Sequence, residues 1–254
     1  MSRQFTRDFL IEVQKGNVAG HSIVHKFGRN PDVPNGTFEG VNQLSALFNF
    51  LTAATTVRIK AGGNAADDVA GNGARTVTVE GLDNTGAAAT ETINTNGVNA
   101  SSNTSTSFWR VFRAYVATCG TYGASNTAEI IIENSGGGTD LISIAIAEGQ
   151  SKYGAYAIPL GKTGYLLDVL VEADAAKAAD FRVCTREDLT DASSAPFSPV
   201  RVILYFDGVL GQATIDPHSP IFSLPALTDI WIDAEGGGAG TEVSCDFEIL
   251  LVDD

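Results

Sequence analysis

Positive charge is scarce in this chain. Only 16 Lys and Arg stand against 30 Asp and Glu, for a formal net charge of −14. A surface of that sign repels nucleic-acid backbones and anionic bilayers, so neither nucleic acid nor membrane is an expected partner. Cysteine is equally sparse. Cys119, Cys184 and Cys245 are too few and odd in number for a disulfide framework. Cys184 and Cys245 sit in alternating segments and read as small buried hydrophobes. No run approaches the roughly 20 apolar residues of a membrane span. The opening Met-Ser-Arg-Gln-Phe-Thr-Arg-Asp lacks the apolar core of a signal peptide, which points to synthesis in a cytoplasm. The sequons at Asn35, Asn99 and Asn103 are then idle.

Catalytic signatures are also missing. There is no Gly-x-Ser-x-Gly elbow. Leu160-Gly161-Lys162-Thr163 resembles the tail of a phosphate loop, but Tyr156 stands where the first glycine belongs, and a strand-like run follows instead of a helix. His21 and His25 share a strand face, yet Ser22 replaces the Glu that a zinc protease needs, and His218 is remote. Acidic pairs (Asp67-Asp68, Glu187-Asp188, Asp233 with Glu235, Asp253-Asp254) are common in any acidic chain and carry no specificity for glycoside hydrolysis. The Asn/Asp/Gly loop over residues 64–73 has the oxygen ligands and glycines to wrap a cation, although a solvated loop is the simpler reading. Cys119 has no His nearby in sequence. No catalytic residue, cofactor or metal ligand is therefore assigned.

What the sequence does carry is alternation. In Glu242-Val243-Ser244-Cys245-Asp246-Phe247-Glu248-Ile249, apolar and polar residues take turns, the mark of a half-buried antiparallel strand. Further strands are predicted at 8–15, 21–27, 55–60, 75–80, 89–94, 108–117, 129–133, 141–147, 153–158, 164–173, 180–186, 228–234 and 242–252. Two prolines and Asn35-Gly36 predict a loop over 28–42. Asp207-Gly208 between the runs Arg201–Phe206 and Val209–Ile215 predicts a hairpin with a type I′ turn. Leu44, Leu47, Phe48 and Leu51 fall at helical spacing and predict one short helix over 43–51. The expected fold is all-β, with two β-sandwich or jelly-roll-like domains and at most one short helix. The glycine run Ser135–Thr139 suggests a boundary between residues 1–138 and 139–254.

Phe108, Trp109, Arg110, Phe112, Arg113 and Tyr115 concentrate aromatic and guanidinium groups in one strand. Such a cluster suits a core face, a subunit contact or a stacked ligand, and these six are the candidate interface residues.

The phrases Ala74-Arg-Thr-Val-Thr-Val-Glu-Gly-Leu-Asp, Thr90-Glu-Thr-Ile-Asn and Ser107-Phe-Trp-Arg-Val-Phe-Arg-Ala-Tyr-Val resemble structural proteins of tailed bacteriophages, many of them marine. Ile158-Pro-Leu-Gly-Lys-Thr-Gly-Tyr-Leu and Leu227-Thr-Asp-Ile-Trp-Ile share the likeness. The resemblance covers about two thirds of the chain and rests on structural rather than catalytic motifs. It implies a non-enzymatic virion protein, most simply a capsid decoration or cement protein. Its expected partners are copies of itself, as a trimer set by capsomer symmetry, and the major capsid or other virion proteins. A fibre, collar or tail component for host attachment is the alternative in the same setting. A carbohydrate-binding module using Trp109, Tyr115 and Trp231 is the alternative outside it.

Overall fold

The computed structural model describes residues 8–192, 195–215 and 222–254. One short helix, α1 (Phe9–Gln14), precedes β1 (His21–Val33), β2 (Glu39–Gly40), β3 (Thr55–Ile59) and β4 (Ala74–Asp83). Next come β5 (Ala88–Asn94), β6 (Ser107–Cys119), β7 (Ile130–Asn134), β8 (Asp140–Ile144) and β9 (Ala155–Ala157). The chain continues through β10 (Lys162–Ala173), β11 (Ala179–Arg186), β12 (Arg201–Val209) and β13 (Gly211–Ile215). It closes with β14 (Ser223–Leu224), β15 (Asp229–Gly236) and β16 (Thr241–Asp253). The fold is all-β, of sandwich type, as the alternation predicts.

The described strands form three antiparallel sheets. The first runs β1-β16-β10-β13, with β14 also on β10. The second runs β12-β11-β15-β2, with β9 also on β15. The third runs β5-β4-β6-β3-β7-β8. In β16 the predicted inward face, Val243, Cys245, Phe247 and Ile249, is buried, and Leu251 continues it. It joins Leu166, Val169 and Val171 of β10, Phe181 and Val183 of β11, and Ile230 and Ile232 of β15 in one continuous core. All of β15 is buried except Glu235, which is half-buried. Its Ile residues serve the sandwich, while Asp229 and Trp231 on the opposite face meet Arg110 of the third sheet and Phe50.

Strand pairing crosses the chain widely. β1 pairs with β16 from His21–Val252 to Val33–Thr241, so early and late segments share a sheet. Ser135–Thr139 is the loop of the β7–β8 hairpin, and β8 extends the third sheet. Gly28 allows the closest approach in β1: a side chain there would place its Cβ 2.3 Å from the Val41 carbonyl oxygen.

Four local expectations are corrected. Residues 8–15 are not a strand but hold α1, because the Asp8 carboxylate caps the Ile11 N–H at 3.2 Å. Residues 43–51 are not helical. Asn42 closes a turn by donating to the Ala46 carbonyl at 2.8 Å and accepting from the Leu44 N–H at 2.8 Å, and Ser45 sits at φ +48°. Phe48 and Phe50 then anchor separately, on Tyr153 at 4.8 Å and Trp231 at 5.1 Å between ring centres, while Leu47 is exposed. The loop expected over 28–42 begins late, because β1 runs on to Val33 and Pro31, which has no N–H to pair, falls at its bulge. The hairpin at 201–215 does not form. Asp207-Gly208 instead makes a bulge inside β12, with Gly208 at φ +59° and its N–H donating to the Asp180 carboxylate at 2.7 Å. The chain then switches sheets at Leu210, so β12 pairs with β11 and β13 with β10.

Candidate functional site

The aromatic strand β6 divides its side chains. Phe108, Arg110 and Phe112 are buried, whereas Trp109, Arg113 and Tyr115 are partly exposed. Arg110 donates to Asp229 through two nitrogens, at 2.7 and 2.9 Å, and Arg186 reaches the same carboxylate at 2.7 Å. Phe50 lies against both guanidinium groups, 5.1 and 5.0 Å from its ring centre. Asp229 has no exposure at all. Its charge is consumed in fastening the third sheet to the second. Arg182 and Asp233 form a similar pair at 3.0 Å, with Arg182 stacked 4.1 Å from the Phe38 ring centre. Burial raises the Asp233 carboxyl above its ordinary range despite that partner.

Other sequence candidates also turn out to be fasteners. Both Asp67 oxygens accept backbone N–H groups, from Ala74, Thr127 and Ala128, all within 2.8–2.9 Å. This ties the loop at 64–73 to a neighbouring one. Lys162 pairs with Asp253, and Thr163 donates to Asp254 at 2.7 Å, so the glycine turn there opens β10. His25 meets Asp246 at 3.0 Å. Among the described residues no group of three or more His, Cys, Asp or Glu is placed to hold a metal. Trp231 is buried, so it does not join Trp109 and Tyr115 in an open platform.

Two features remain open. One is a cleft of about 470 Å³ between β1 and the face formed by β4, β5 and β6. Ile23, Phe27, Ala89, Phe112 and Tyr156 give it apolar walls, Lys26, Arg113 and Glu80 give it charge, and His25 lies beside them. Lys26 is 7% exposed and donates its ammonium hydrogen to the Phe112 carbonyl. Burial, helped by the charge of Arg113, brings its amine down from 10.5 to about 7, against the opposing pull of Glu80. Glu80 is itself engaged by Arg113 at 3.3 Å. Lys26 did not stand out in the sequence. Its signal is a lysine at an inward-facing position, in step with Gly28 and Asn30 along β1.

The other feature is the free edge of the second sheet. Among the described residues β12 ends that sheet and pairs only with β11. Val202 and Tyr205 on it, Val200 before it and Leu210 after it are all more than half exposed. Comparison with protein-family models, curated proteins and solved structures finds no match for this chain.

Proposed function

We propose that this chain is a non-enzymatic structural subunit of a phage particle, a decoration or cement protein that works by docking to copies of itself and to the shell. The open apolar edge at β12 carries the reading. A strand whose outer edge has no partner among the described residues, with Val202 and Tyr205 exposed, is a template for a further strand. A second copy is the favoured occupant. β12 has Arg201 near one end and Asp207 near the other, so an antiparallel β12 centred on Leu204 sets each Arg201 opposite an Asp207. That pairing is isologous and favours a two-fold contact over the three-fold ring suggested by capsomer symmetry. The engagement of Asp229, Asp233, Asp67 and Asp253 in structural bonds favours a scaffold over an enzyme. The virion setting is supported by the sequence resemblance to phage structural proteins.

Light scattering on the purified protein tests the assembly half. The expected mass is twice 26.6 kDa, and Val202→Lys returns it to the monomer by placing unpaired charge in the seam. A wild-type monomer, or a V202K dimer, overturns this contact. Mass spectrometry of purified parent particles tests the virion half, where absence of the chain overturns it.

A further inference from the structure

We propose that the cleft at Lys26 is a binding site for an amphiphilic monocarboxylate. Its carboxylate would sit against Lys26 and Arg113, and its apolar chain would lie between Ile23, Phe27, Ala89 and Phe112. Three observations converge on this. First, the chain carries a formal charge of −14, yet this cleft is lined by Lys26 and Arg113 against Glu80, while His25 at its side is paired with Asp246. Second, Lys26 is buried and its hydrogen bond goes to a neutral carbonyl. An ammonium offers three donors, and a carbonyl does not balance its charge, so an entering anion supplies what burial removes. Third, a cleft of about 470 Å³ with apolar walls and a few convergent polar groups has the size and make-up of a small-molecule site. A small hydrophilic anion such as phosphate would meet the charged end and leave the apolar walls wet. The walls therefore select a ligand with a hydrocarbon body.

Binding is linked to the charge of Lys26. The groups around it are Arg113 on β6, Glu80 on β4 and Cys245 on β16. His25, paired with Asp246, also lines the cleft. An anion on Lys26 favours the protonated amine, so affinity is highest below the value of about 7 that the amine has in the unliganded fold and falls as pH rises above it.

Calorimetric titration of the whole chain with sodium octanoate tests the assignment. We expect a Kd below about 1 mM at pH 6.5, at least tenfold weaker at pH 8.5, with no competition from inorganic phosphate. Lys26→Met should lose at least tenfold in affinity at pH 6.5 and flatten the pH dependence, while His25→Gln keeps it. Ala88→Trp fills the cleft from an exposed position on β5, and should block octanoate with an unchanged melting temperature. Absence of octanoate binding, wild-type affinity in K26M or A88W, or a pH dependence that follows His25, overturns the proposal. Each of these results is independent of whether β12 pairs with a second copy.

Discussion

Asp229, itself fully buried, holds two guanidinium groups, those of buried Arg110 and partly exposed Arg186. Such a cluster is strong only while complete. Asp229→Asn removes the shared charge and leaves two arginines facing each other under Phe50. The expected loss is about 3–5 kcal/mol of unfolding free energy, read as a lower urea midpoint with an unchanged slope. Lys26 is the opposite case, a buried charge with a neutral partner. Its amine is brought down to about 7 in the folded chain against 10.5 when free. Between those values the unfolded chain holds a proton that the folded chain has released, so this group's contribution to stability rises with pH across that window. Below it, the penalty for burying the ammonium is present in full. Lys26→Met should therefore raise the melting temperature most at pH 6 and least near pH 10. An equal gain at both would place the effect in packing instead of charge.

At the level of elements, strand positions were legible because alternation is a local, two-residue signal. β6, β11, β15 and β16 lie within a few residues of where the pattern puts them. The errors arose where a local pattern had two readings. Leu44, Leu47, Phe48 and Leu51 match a helix, but two aromatic anchors and the Asn42 turn determine the backbone there. Asp207-Gly208 asks for a left-handed residue, and the structure provides one at Gly208, yet spends it on a bulge. Turn and bulge need the same φ, and only the distant partners Asp180 and Ala173 distinguish them. The same argument predicts tolerance. Gly208→Asn should be nearly neutral in thermal melts, since Asn accepts this conformation, whereas Gly208→Val should cost about 1–2 kcal/mol. The candidate cleft was illegible for a related reason: β1 reads as a strand, but what faces its inward lysine comes from β4 and β6, far along the chain.

For the whole molecule, three sheets are held together through β15, which is covered on both faces by the rest of the chain. Which strands would share a sheet could not be read locally, because pairings such as Arg29 with Glu242, 213 positions apart, leave no mark in either segment. That long reach has a consequence for biosynthesis. β16 lies between β1 and β10 and completes both ladders. Everything it joins has left the ribosome before it is made, so the first sheet closes only after Thr241 and the residues beyond it have emerged. A polypeptide truncated before that point leaves β1 without its sheet partner and bares one edge of β10, which keeps β13 and β14, a form that chaperones and proteases recognise. The order of synthesis thus puts the strand that closes the first sheet last, and completion of the chain and completion of that sheet coincide.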